Sequence, residues 1–164
     1  MRLPGILAAV VMALTASGCS LLTTSIDQVA PACAARIDRG VIPDWSRAGF
    51  SQAEPSVPHS LGREGEIVAI LFGDPLTAPP SADHNNKILW VAHAIPAASD
   101  LEISAQRMDG PLPVGDPVAR IVQGGPGPSI IDLPDAGCWR LTLHWANLTD
   151  SVDLEYVRPA GLPG

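Results

Sequence analysis

The side chains that could do chemistry are thinly spread along this chain. Its four histidines, His59, His84, His93 and His144, show no His-x-His or His-x-x-His spacing, and no Cys-x-x-Cys accompanies them. A protein metal site draws three or four such donors together, so the pattern predicts none. His84, beside Asp83 in a polar stretch, is the candidate ligand-binding imidazole or general base, against the plainer reading of a surface loop histidine. His93 closes an apolar run and reads as a hydrogen-bonded core residue, whereas His144 falls on the polar side of an alternating segment. Nucleophilic hydrolysis needs a serine on a strained turn and a base oriented by a carboxylate. No Gly-x-Ser-x-Gly is present. No catalytic residue is therefore assigned, and a small hydrolase centred on His84 stands last among the functional readings.

Two other motifs lead to the same place. Gly124-Gly125-Pro126-Gly127-Pro128-Ser129 has the glycine content of a phosphate loop, but that device works through successive backbone N–H donors and a following Lys. Pro126 and Pro128 delete two donors and no Lys follows, so the segment reads as a sharp connection between strands, and no cofactor is implied. Aromatic stacking could hold a sugar. Trp139 and Trp145 share a face with Leu141 and Leu143, and Trp90 lies within an apolar run, which assigns all three to the core. Trp45 is left as the aromatic free to stack on a ligand, together with His84 and the long loop Gly73 to Asn86. Asn147-Leu148-Thr149 matches a glycosylation sequon but is read as part of a hairpin loop.

The strands and turns that carry these side chains follow an N-terminal segment of a different kind. Arg2 precedes an almost wholly apolar run, Ile6 to Leu14, and the small residues Ala16, Ser17 and Gly18 lead into Cys19. That is the grammar of a removable export signal, since nine residues fall far short of the roughly 20 that span a bilayer as a helix. Ala16-Ser17-Gly18-Cys19 resembles the lipobox of bacterial lipoproteins, with Ala16 where leucine is the usual choice. The resemblance implies a diacylglyceryl group on the Cys19 thiol, cleavage after Gly18, and a chain held by acyl groups (palmitate among them) on the extracytoplasmic side of a cell membrane or envelope. Two or more acyl chains anchor stably at about 0.8 kcal/mol per buried methylene.

With residues 1–18 removed, 9 of the 10 basic side chains remain against 17 acidic ones, a net of −8 with histidines neutral. A surface of that sign repels phosphate backbones, so nucleic acid is not an expected partner. The acidic residues are scattered and read as a solvated surface. Once Cys19 carries lipid, Cys33 and Cys138 remain, in a compartment where a disulfide persists. They are read either as a bridge, closing a loop of about 105 residues worth on the order of 4.7 kcal/mol in the chain-entropy description, or as two separate buried thiols.

The 146 residues from Cys19 onward fit one domain. Residues 19–40 read as lipidated Cys and tether, with one short helix from Ala32 to Arg39 between Pro31 and Gly40. Val41 to Arg63 is irregular and pinned to the core by Trp45 and Phe50. The remainder of 41–164 is a series of short strands. Seventeen prolines, about twice the usual share, argue for turns and against long helices.

Ile67 to Phe72 and Ile88 to Ala94 are nearly continuous apolar runs of strand length, predicted to be central and covered on both faces. Leu101 to Gln106, Trp139 to Trp145 and Val152 to Tyr156 alternate with period two, predicting one buried and one wet face. The last two are joined through Ala146 to Asp150 as a hairpin. Further strands are expected at Val118 to Val122 and Ser129 to Leu133, giving about seven.

Gly137-Cys138-Trp139, with the alternating residues through Tyr156, resembles the closing hairpin of small uncharacterised bacterial lipoproteins that carry an immunoglobulin-like antiparallel β-sandwich. The resemblance implies an all-β fold and supplies no site. The expected function is thus a membrane-anchored envelope lipoprotein with a noncatalytic interaction or accessory module. Its partners would be the membrane, through the lipid, and an envelope protein or glycan. An extracytoplasmic ligand- or glycan-binding module is the alternative.

Overall fold

The computed structural model of the chain describes residues 37–159. Cys19, Cys33 and all but the end of the expected helix lie outside them. The described residues form an all-β fold of nine strands. One sheet contains β1 (His59–Leu61), β2 (Ile67–Leu71), β4 (Lys87–Ala92) and β7 (Pro128–Ile130), in the order β1-β2-β4-β7 and antiparallel throughout. The other contains β3 (Leu76–Thr77), β5 (Leu101–Asp109), β6 (Leu112–Val122), β8 (Gly137–Trp145) and β9 (Leu148–Val157), in the order β3-β9-β8-β5-β6. All its pairs are antiparallel except β3 with β9.

Period-two alternation decides which side chains meet between the sheets. Ile67, Ala69, Leu71, Ile88 and Trp90 face Leu101, Ile103, Ala105, Trp139, Leu141, Leu143, Trp145, Val152, Leu154 and Tyr156 in one apolar core. Each of its three tryptophans satisfies its indole N–H, a requirement for burying that group. Trp90 donates to Ser129 Oγ at 3.0 Å, Trp139 to the Asp135 carbonyl at 2.9 Å and Trp145 to the Ala94 carbonyl at 2.9 Å.

The irregular stretch before β1 forms a strap across the outer face of the four-stranded sheet. Val68 and Ile70 point outward from β2 and are fully buried beneath Ile42, with Trp45, Phe50, Val57, Leu89 and Val91 around them. The continuous apolar run of β2 is explained by this double coverage. One turn of 3-10 helix, Asp44–Ser46, lies within the strap.

Several expected boundaries move. Asp38 pairs with His59 in an isolated bridge, exchanging two backbone hydrogen bonds of 2.8 Å, and Ile37 packs against the main core. The end of the expected helix is therefore extended, and residues 37–40 belong to the folded unit rather than to a tether. A bridge to β1 satisfies both backbone groups of Asp38, which outweighs the proline-in, glycine-out signal. The loop Gly73 to Asn86 is also not wholly irregular, because β3 sits within it. Buried Asn86 holds that strand in place, accepting from Thr77 N–H at 2.8 Å and donating to the Thr77 carbonyl at 2.8 Å and to Asp132 Oδ1 at 2.8 Å.

The two ends of the sandwich differ. The base holds the Asp38–His59 bridge, an Arg39–Asp74 ion pair, the start of β8 and the end of β9. The tip holds the β1–β2 turn, the 93–100 and 123–127 loops, and the two-residue β8–β9 turn Ala146–Asn147. At the tip, buried Asp150 bridges the sheets. Its carboxylate accepts the N–H groups of Glu64 at 2.9 Å, Glu66 at 2.9 Å, Ile67 at 3.3 Å and Ser151 at 2.7 Å. Asp153, expected on a wet face, is buried instead, because Arg63 and Arg140 both reach over it.

Every edge strand is blunted. β1 is capped by Asp38, β3 has two residues, and β7 has three and begins with Pro128. The long edge β6 carries Pro113, Pro117 and a break in register opposite Gln106, whose Nε2 donates to the Val114 and Gly115 carbonyls at 3.0 and 3.2 Å. Prolines, bulges and short strands are the devices that stop a sheet edge from pairing further.

Tyr156 closes the core at the base, donating its hydroxyl to the Ile131 carbonyl at 2.7 Å. Burial, reinforced by Asp132 and opposed by Arg120, pushes its phenol well above the ordinary tyrosine range. The folded state thus keeps a proton that the unfolded chain releases near pH 10. Stability carried by the neutral phenol is complete below about pH 10 and is lost as the pH rises above it. Urea midpoints should fall more steeply above pH 10 for the native chain than for Tyr156→Phe. Parallel curves would refute this.

Candidate functional site

The expected ligand site does not assemble. His84 donates from Nε2 to the Pro75 carbonyl at 2.9 Å, tying its own loop together near the base. Trp45 stacks on His93 at the tip, with ring centroids 5.1 Å apart and planes 23° apart. Lys87 and His93 mark opposite ends of β4, about 20 Å apart at the rise of a strand, so Trp45 and His84 cannot share one small ligand. His93 also departs from expectation. Its ring is exposed and rests against Trp45 because β4 ends at Ala92, before the run's last residues. Trp45 is half-buried in the strap and already has a stacking partner.

The other histidines are held locally. His59 is buried and donates from Nδ1 to the Val57 carbonyl at 2.8 Å, while His144 Nδ1 and Thr149 Oγ1 are hydrogen-bonded at 2.7 Å. Among the described residues no three His, Cys, Asp or Glu side chains gather as metal ligands. Among the same residues no helix is long and apolar enough to cross a membrane. Cys138 is disulfide-bonded. It is the one cysteine among the described residues, so its partner lies outside them.

A cleft of about 440 Å³ opens at the tip, lined by Ser99, Asp100, Glu102, His144, Trp145 and Ala146. Strand register builds it. Glu102 on β5 stands directly opposite His144 on β8, and cross-strand neighbours of this kind lie within about 5.5 Å at Cβ. Ser99 Oγ accepts the Ala146 N–H at 2.6 Å, holding Ala146 in the left-handed conformation (φ 51°) that the tight turn requires. Asp100 Oδ1 accepts the Gly124 N–H at 2.8 Å, drawing the glycine-rich loop against the cleft. That loop is a connection between β6 and β7, as its prolines predicted. The arrangement presents two carboxylates, a hydroxyl and an imidazole, chemistry suited to hydrogen bonding and to a cationic group. Glu102 and His144 were readable as polar-face residues; their juxtaposition was not, because alternation does not encode which strands pair.

The chain matches no protein-family model, no curated protein and no solved structure.

Proposed function

We propose that this protein is a lipid-anchored, extracytoplasmic envelope protein whose immunoglobulin-like sandwich serves as a noncatalytic interaction or accessory module. One observation carries the reading: a lipobox-like Ala16-Ser17-Gly18-Cys19 follows an apolar export segment, upstream of the all-β unit described over residues 37–159. The disulfide at Cys138 supports export, because such bonds persist in oxidising compartments and are rare in the cytosol. Cys33 is its proposed partner. Two sheets packed through one core, with a tyrosine hydroxyl tied to backbone at their border, support the immunoglobulin-like assignment.

The test is mass spectrometry of the mature N-terminus. A chain beginning at Cys19 with diacylglyceryl mass is expected, and Cys19→Ser should abolish both the lipid and membrane retention. A native chain that starts elsewhere without fatty acids would refute the proposal. The tip cleft favours a second reading, an extracytoplasmic module for a small molecule or glycan. Its ligand would sit against Asp100, Glu102 and His144 rather than at the 73–86 loop.

A further inference from the structure

On the outer face of the four-stranded sheet, register places side chains in cross-strand rows. Val68 pairs with Val91 and Ile70 with Leu89, and both rows lie under the strap. The next row toward the base lies beyond the strap. It consists of Phe72, Lys87 and Ile130: Phe72 N–H donates to the Lys87 carbonyl at 2.9 Å, and Lys87 is paired with Ile130. Phe72 is 55% exposed and Ile130 54% exposed. Lys87 is also exposed, with its ammonium 5.5 Å from the centre of the Phe72 ring. An apolar pair flanking one lysine that can extend its charge outward has the composition of a surface resting at the headgroup boundary of a bilayer.

Position favours the same occupant. The row lies at the base, where the described chain begins and where Arg39 pairs with Asp74, two residues beyond Phe72. Cys19 is 18 residues upstream of Ile37, so a lipid on it holds this end within at most about 65 Å of the membrane. Such a leash raises the effective concentration of membrane at the base to the order of millimolar, enough to populate a contact too weak to form by itself.

We infer that Phe72, Lys87 and Ile130 form a membrane-resting patch that seats the base of the sandwich on the lipid surface and turns the tip cleft outward. This rests on the lipid-anchor reading. Its test uses the mature lipidated chain in vesicles of phosphatidylethanolamine and brominated phosphatidylcholine, with Phe72→Trp, Ile130→Trp and, at the opposite end, exposed Ile95→Trp as probes. A ring held roughly 5–10 Å into the interface should lose about half its added emission to the brominated lipid. That result is expected at positions 72 and 130 and not at 95.

Equal insensitivity at all three positions, in a chain that floats with the vesicles, would overturn the patch and leave the anchor standing. A chain that carries no lipid and does not float would overturn both. Blue-shifted emission from Phe72→Trp in the Cys19→Ser background without vesicles would overturn the patch differently, by showing that the chain itself covers the row.

Discussion

Replacing Asp150 with alanine is expected to cost the fold about 3–5 kcal/mol, a large part of the roughly 5–15 kcal/mol that holds a domain of this size together. The carboxylate is buried and accepts four backbone N–H groups, two of them from the β1–β2 turn and one from Ile67 at the start of β2 in the opposite sheet. Truncation leaves those donors facing apolar surroundings or admits water into the sheet border, and a donor stranded in this way forfeits far more than the net worth of one hydrogen bond. The site is also closed sterically, since a Cβ at Gly62 would lie 2.0 Å from Asp150 Oδ2. Asp150→Asn should fall between the two, because one oxygen still accepts while the new NH₂ confronts donors. Urea unfolding measures the series. A loss below about 1 kcal/mol for alanine would mean that the turn reorganises and that Asp150 is not the clamp between the sheets.

A comparable loss, about 3–5 kcal/mol, is expected for Trp90→Ala. Trp90 is 1% exposed on the central strand β4 and fills the space between the sheets. Its removal opens a cavity in a core that packs like a solid, and it orphans the Ser129 hydroxyl that accepts its indole N–H. Trp90→Phe keeps most of the apolar area and loses the hydrogen bond, so it should cost markedly less. Thermal and urea denaturation would separate the two. Equal stability of the native and alanine forms would show that the core collapses to fill the void.

The fold was legible where alternation was clean. In Trp139 to Trp145, the apolar set predicted to face inward is the buried set. The continuous run of β2 announced coverage on both faces, and the strap supplies the second. The errors cluster where long-range pairing overrides local signals. Asp38 takes its conformation from His59, about twenty residues on, and nothing in Ala32 to Arg39 encodes that partner. The sequence joins these strands through Ala146 to Asp150, whereas the turn itself is only Ala146-Asn147, a pair without the Asn-Gly signature of such turns. Ser99, 47 residues away, holds it instead.

The candidate site suffered the same blindness. In sequence Trp45 and His84 are a lone aromatic and a polar imidazole, and only the direction of β4 shows that they belong to opposite ends. Alternation puts Glu102 and His144 each on a polar face, yet it is the adjacency of β5 and β8 that sets one against the other.

The blunted flanks of the sandwich have a consequence for life in a crowd. Open strand margins would let molecules that meet side-on zip into growing ribbons. Here Asp38, the brevity of β3 and β7, and the prolines of β6 leave a newcomer only short stretches of ladder among the described residues. Copies that meet side-on therefore find little along the described edges on which a fibril could be templated.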